Sequence, residues 1–402
     1  MNKKQIFTRS VITVAIAVAS SQTMAAGFQL NAQSATGLGR AFSGDGVIAD
    51  NASTMAKNAA SMTLFDAPAL SLGMIAINTD VHVKNTQYNN RPINDTSIGG
   101  TSYAPNIYYI QPINDKFSVG ASLYSNFGTK TEFKDGYKAD LFGGLTDVKS
   151  VNLGLSAAYR INQHFSVGGG LDVIYGSGKL QRGALPNGKN LIDIDADGVA
   201  LGYNLGTIYE YNQNNRFGLS YRYSPTIEAK GDIHAPLDFS NQKLKIPLPS
   251  MLEFSGFNKL NDKFAVHYSI QWIEWSAFDQ LSTTGGSFSK DYQWQNSWHY
   301  SLGGTYYLNN DWTLRAGYMH DTSAQGNLTS ISVPDSDRNW LSGGFTYHLD
   351  SKSTIDFGLT YLIGKDVNVS EKQQLAPGIS PSVTATTRAN AWLYGLQYSR
   401  SF

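Results

Sequence analysis

Ala391-Trp392-Leu393-Tyr394-Gly395-Leu396-Gln397-Tyr398-Ser399-Arg400-Ser401-Phe402 closes the chain. Read with a period of two, Trp392, Tyr394, Leu396, Tyr398 and Phe402 fall on one face. Ala391, Gly395, Gln397, Ser399 and Ser401 fall on the other, with Leu393 as the exception. A strand of about 9–11 residues, greasy outside and polar inside, is the unit of a transmembrane β-barrel. The aromatic terminus Phe402 has the form of the signal read by the barrel-assembly machinery. The expected location is therefore an outer membrane.

The opposite end agrees. Lys3, Lys4 and Arg9 precede a short apolar run, Val11 to Ala19, and Thr23-Met24-Ala25 supplies small residues for cleavage. Residues 1–25 are expected to be a signal peptide and Ala26 the mature N-terminus. The apolar run falls short of the roughly 20 residues a spanning helix needs. Without Lys3, Lys4 and Arg9, 28 basic residues face 31 acidic ones. With no basic patch interleaved with aromatics, this is not a nucleic-acid binder. Cysteine is absent, which excludes disulfides, thiol catalysis and Cys-ligated metal. No cofactor is implied. The 23 Tyr, 19 Phe, 7 Trp and 39 Gly suit aromatic girdles and close strand packing.

Residues 26–67 do not alternate and are rich in Gly, Ala, Ser and Asn, which predicts a compact hatch. Alternating segments fill 68–402 and predict strands at 68–82, 101–112, 116–129, 149–160, 165–181, 197–211, 215–229, 249–260, 263–279, 292–308, 311–321, 338–349, 353–368 and 388–402. The expected fold is all-β, a 14-stranded antiparallel transmembrane β-barrel plugged by its N-terminal hatch. Asn-rich links such as Ile113-Asn114-Asp115-Lys116 and Leu260-Asn261-Asp262-Lys263 read as tight periplasmic turns. An even count puts both termini in the periplasm, and the longer links, among them Arg182–Ala196 and Ser370–Thr387, outside.

Chemical motifs are few. Asp193-Ile194-Asp195-Ala196-Asp197-Gly198 resembles the front of an EF-hand loop, but Asn204 stands where a bidentate Glu is needed and the flanks are strands. A solvated acidic loop is the expectation. His320-Asp321 is the one adjacent acid–base pair at a predicted rim, and an ordinary polar rim accounts for it. Gly37-Leu38-Gly39 lacks the strand–turn–helix setting of a dinucleotide site.

Other stretches carry a family resemblance. Ala26 to Asn31, Ser34 to Gly46, Ile48 to Ala52, Ser125-Asn126-Phe127-Gly128, Leu248 to Gly256, Val333 to Ser342 and the closing Ala391 to Gly395 resemble FadL-type long-chain fatty-acid transporters over nearly the whole mature chain. The resemblance implies passive uptake of long-chain fatty acids by a plugged barrel: capture at the outer face, a greasy internal pocket, and lateral exit where the third strand kinks inward. It implies that Ala26, Gly27 and Phe28 reach into the pocket, and that Asn126-Phe127-Gly128 forms the kink. It further implies that Arg182 and Lys290 pair with the ligand carboxylate, although by residue type alone each reads as a rim charge.

The chain departs from the family at Asn58-Ala59-Ala60, where the family has Asn-Pro-Ala near the wall opening. Its outer loops are also shorter, leaving Ile192, Ile194, Leu237, Phe239, Leu244 and Ile246 as candidates for an outer capture groove. The expected surroundings are outer-membrane lipid and lipopolysaccharide, and the expected state is a monomer. The alternatives are a transporter of other hydrophobic compounds, a surface adhesin, a diffusion porin, disfavoured by the hatch, and a barrel hydrolase, disfavoured by the missing constellation.

Overall fold

A computed structural model describes residues 27–185, 189–235, 237–375 and 377–402. The expected signal peptide and Ala26 lie outside these. Fourteen antiparallel strands close into a barrel. They are β1 (Ala69–Tyr88), β2 (Thr101–Pro112), β3 (Phe117–Tyr124, resuming at Gly128–Glu132), β4 (Leu145–Arg160), β5 (Phe165–Ala184), β6 (Asn190–Asn212) and β7 (Asn215–Tyr223, then Thr226–His234). There follow β8 (Leu244–Pro247, then Met251–Lys259), β9 (Phe264–Ile273), β10 (Ser297–Tyr307), β11 (Trp312–Asp321), β12 (Arg338–His348), β13 (Ser353–Gly364, then Val367–Lys372) and β14 (Ser382–Ser401). The last strand pairs with the first, from Ala69↔Ser401 upward, which closes the sheet on itself. Among the described residues no helix is long and apolar enough to cross a membrane; this chain crosses with strands.

The strand pattern behaves as lipid demands. On β9, Phe264 and Ile270 face out while Ala265, His267, Ser269 and Gln271 are buried inside. Leu393, the exception on β14, is buried against the hatch, in one cluster with Leu30, Leu38 and Ile75. The tight turns share one device: Asn114, Asn162, Asn261 and Asn309 each accept backbone N–H bonds from residues two and three positions on. The side chain thereby mimics a turn of backbone.

Several strands run further than the sequence pattern predicts. β6 begins at Asn190, β4 at Leu145 and β14 at Ser382, and β1 continues to Tyr88. The cause is a reversal of polarity along each strand. On β6, Val199, Leu201, Tyr203, Leu205 and Tyr209 face lipid, yet above them Asp193, Asp195 and Asp197 face out while Ile192, Ile194 and Ala196 turn in. The barrel wall therefore rises past the membrane with water outside and a greasy interior. Asp193–Gly198 is thus extended strand, not a loop, with Asp195 ion-paired to Lys179 of β5 at 3.3 Å.

The hatch fills the periplasmic half. Ser34 caps α1 (Ala35–Gly39), its Oγ accepting the Gly37 N–H. Two 3-10 turns follow, Ala52–Ala56 and Ala59–Leu64. Gly39 serves this packing, facing Gly344 of β12, and α1 lies so close to the wall that a Cβ on Gly358 of β13 would stand 2.3 Å from the Ala35 carbonyl oxygen. Arg40 donates to Asp45 (2.9 Å) and Asp50 (2.6 Å), and Asp50 also accepts from Arg315 of β11 (3.3 Å). This buried ion cluster ties hatch to barrel.

Candidate functional site

β3 is interrupted between Tyr124, paired with Asn152, and Gly128, paired with Lys149. Four steps on β3 match three on β4, so one extra residue forms a bulge and bends the strand. Asn126 and Phe127 turn inward and are buried. Pairing of β2 with β3 ends at Ile107↔Leu123, and among the described residues Thr101–Asn106 of β2 has strand pairing to β1 but none to β3. The wall is unlaced between β2 and β3 above that point.

The hatch N-terminus occupies the inner side of this break. Gln29 bridges Phe127 in antiparallel fashion, Leu30 N–H donates to the Asn126 carbonyl (2.6 Å) and Gly128 N–H to that of Phe28 (2.8 Å). The Gln33 amide adds a bond to Asn126 Oδ1 at 3.1 Å. Phe28 then enters an aromatic cage, with ring centroids 4.7 Å from Trp275, 5.1 Å from Phe278, 5.6 Å from Trp294 and 6.1 Å from Phe127.

Gly27 has φ +63° and lies against this cage, where a Cβ would fall 2.6 Å from the Trp294 ring and 2.7 Å from that of Trp275. Gly27→Val adds both a clash and a left-handed penalty of about 1–2 kcal/mol. It should expel the N-terminus from the cage, read as stronger acrylamide quenching of tryptophan fluorescence; unchanged quenching would reject this placement.

Above Phe28 lies a narrow apolar pocket, a slot of about 30 Å³ between closely packed side chains. Phe28, Phe278 and Trp294 form its floor side, and Leu180, Ile194, Leu244, Ile246, Tyr292 and Val333 line the rest. A small sheet made by the outer parts of β7 and β8 with Gln280–Thr283 and Ser289–Asp291 covers it. The candidate capture-groove residues are redistributed. Ile192, Ile194, Leu244 and Ile246 face the interior, Phe239 packs against the same cluster, and Leu237 alone is largely exposed.

Arg182 sits at the inner face of β5, beyond Tyr175, where the outward positions become polar. It is 2 % exposed. Its guanidinium donates to the carbonyls of Leu145 and Gln181 and to Thr146 Oγ1, a pocket residue, while Nε has no partner. Among the described residues no carboxylate is within ion-pair distance of it. Burial pushes Arg182 down to about 10, partly offset by Tyr292, Glu371 and Asp140; it remains a cation at neutral pH. Lys290 lies at the rim, 5.3 Å over the Tyr292 ring and 3.9 Å from Glu371. A buried cation lacking a counter-ion above an apolar slot suits an anion with a hydrophobic tail.

Asn58, expected near the wall opening, is elsewhere. Its Nδ2 donates to the Thr207 carbonyl on β6 (3.0 Å) and its Oδ1 caps Ala60 N–H (3.0 Å). The hatch turn that carries it packs on β4–β6, so Asn58 anchors the plug rather than the gap. His320 and Asp321 face opposite sides: His320 contacts Asn339 (3.0 Å), whereas Asp321 is buried and accepts from Trp340 (3.0 Å). They form no dyad. The cage residues Trp275, Phe278, Tyr292 and Trp294 escape the sequence pattern; the only trace is that four of the seven tryptophans fall between 272 and 298.

The sequence matches the family of outer membrane transport proteins described as OMPP1/FadL/TodX over residues 16–402. It is 35% identical to the long-chain fatty acid transport protein of Escherichia coli strain K12, with 100% of both chains covered. It is 33% identical to outer membrane protein P1 of Haemophilus influenzae, covering 98% of this chain and 99% of the relative. Among solved structures, a Pseudomonas aeruginosa FadL homologue superposes with TM-score 0.83 at 20% identity over 94% of this chain and 100% of the other. The Pseudomonas putida toluene transporter TodX gives 0.68 at 17% identity over 95% and 100%. At such identities the structural likeness speaks for the fold.

Proposed function

The chain belongs to the OMPP1/FadL/TodX family of outer membrane transport proteins, and from that premise we propose that it carries long-chain fatty acids passively through the barrel, past its hatch. The observation that carries the substrate class is Arg182, a buried cation with no carboxylate in ion-pair range among the described residues, above an apolar pocket. At roughly 0.8 kcal/mol per CH₂, a C16 tail prefers such a slot to water by on the order of 10 kcal/mol. A water-filled pore offers it nothing comparable. Arg182 and Lys290 receive the carboxylate while the tail extends down towards Phe28. Cleavage after Ala25 leaves Ala26, Gly27 and Phe28 as the movable terminus.

Withdrawal of Phe28 breaks two backbone bonds to β3 and opens the cage towards the unlaced wall between β2 and β3, the lateral exit. Concentration difference alone drives net movement, so no energy-coupling site and no catalytic group are assigned. The protein works as a monomer among outer-membrane lipid and lipopolysaccharide, with Phe402 read by the assembly machinery.

The test compares ligands differing only in headgroup. Arg182→Ala/Lys290→Ala should weaken hexadecanoate binding by about tenfold or more, as loss of charge-assisted bonds to a partly buried carboxylate requires. Hexadecanol binding should stay nearly constant. Equal loss for both would sink the carboxylate assignment and favour neutral hydrophobic cargo.

A further inference from the structure

Glu371 lies on the outer part of β13, and its side chain is 11 % exposed. Oε1 accepts the Ile331 N–H at 2.7 Å, which fixes the carboxylate. Oε2 stands 3.9 Å from Lys290 Nζ. That is well beyond the 2.7–2.9 Å or so of a charge-assisted hydrogen bond. Among the described residues Lys290 Nζ donates no hydrogen bond at all, although an ammonium carries three donors. The contact thus compensates charge, and no protein acceptor among the described residues takes the donors of Lys290. Asp140 also acts on Arg182 at a distance, but among the described residues only Glu371 comes within ion-pair range of Lys290.

We propose that Glu371 is the internal counter-ion of the carboxylate site, a positioning residue that holds Lys290 while the pocket is empty and yields it to the ligand's headgroup. This rests on Arg182 and Lys290 being that site. A transporter must release what it binds. Two cations facing one carboxylate with no competitor would hold it tightly, whereas a resident carboxylate sets a ceiling on affinity for acids and leaves neutral ligands untouched. The device also reaches the pocket wall. Ile331 belongs to the β11–β12 link, which supplies Val333 to the pocket and whose Ser332 carbonyl accepts from Thr131 on β3. Glu371 stays bound to Ile331 when Lys290 turns to the ligand, so the exchange needs no unfolding of that link.

The experiment measures equilibrium binding of hexadecanoate and hexadecanol to the detergent-solubilised full-length barrel. Glu371→Gln keeps an oxygen to accept the Ile331 N–H and removes only the charge. It should tighten hexadecanoate binding by about fivefold, because the headgroup then meets no competing carboxylate for the Lys290 ammonium, with hexadecanol unchanged. In a Lys290→Met background the same exchange should have a much smaller effect on hexadecanoate. Unchanged or weaker hexadecanoate binding in Glu371→Gln overturns the proposal, as does an equal shift for both ligands, which would report repacking through Ile331. Failure of the underlying reading is recognised separately: Arg182→Ala/Lys290→Ala would then affect acid and alcohol alike, whatever Glu371→Gln does.

Discussion

Oxidation of a Gln29→Cys/Phe127→Cys pair should stop uptake of labelled oleate, and reduction should restore it. The two residues are opposed in an antiparallel bridge flanked by the Leu30 and Gly128 hydrogen bonds, which makes them a non-hydrogen-bonded pair. Such pairs hold their Cα atoms about 4.5 Å apart with side chains on one side, inside the roughly 4.4–6.8 Å window of disulfides. The chain has no cysteine of its own, so no other pairing competes. The bond welds the hatch N-terminus to the β3 bulge and holds Phe28 in its cage. If ligand can leave only when Phe28 withdraws, oxidised barrels should transport at roughly a tenth of the reduced rate or less, since thermal opening then requires breaking a covalent bond. The reduced double variant is the reference, because Phe127→Cys also removes one ring of the cage. Oxidised barrels that match it in uptake would place the route elsewhere.

The sequence was most legible where lipid dictates the pattern. The alternation on β9 and β14 follows from a greasy exterior, and the strand count follows from the Asn-bearing turns. The hatch showed itself by lacking any period. The outer halves of the strands were harder to read, since the parity that puts Leu201 in lipid puts Asp195 in water, and the opposite parity puts Ile194 in the pocket. A pattern search tuned to apolar-out residues therefore ends those strands early.

The site was legible only in part. Phe28 and Phe127 came from the resemblance, but Trp275, Phe278 and Trp294 are distant in sequence and converge only through barrel closure. Arg182 and Lys290 looked alike as rim charges; burial and the reach of Glu371, placed by sequence in a loop, separate them. Asn58 was misplaced because a non-periodic segment does not reveal which wall it faces.

The hatch as a whole is held by other means than its N-terminus, and Asp50→Ala tests this. Asp50 accepts from both Arg40 and Arg315, whose side chains are 2 % and 5 % exposed. Its removal leaves Arg40 with Asp45, and Arg315 with only a distant Asp356 at 3.9 Å. Stranding a buried charge costs about 3–5 kcal/mol, and the partial exposure of Asp50 itself discounts this to about 2–3 kcal/mol. That is enough to populate states in which the plug is loosened. Asp50→Ala barrels should therefore conduct ions in planar bilayers and lose hatch fragments to limited proteolysis, while the wild type stays closed.

The cross-linked barrel should behave in the opposite way, closed to ions and to oleate alike. If Asp50→Ala barrels stay closed and resist protease like the wild type, the ion cluster does not hold the plug. If they open to ions yet still take up oleate only when the Gln29→Cys/Phe127→Cys pair is reduced, two separate elements are at work. A fixed plug then excludes water and ions, and a short movable terminus admits the fatty acid.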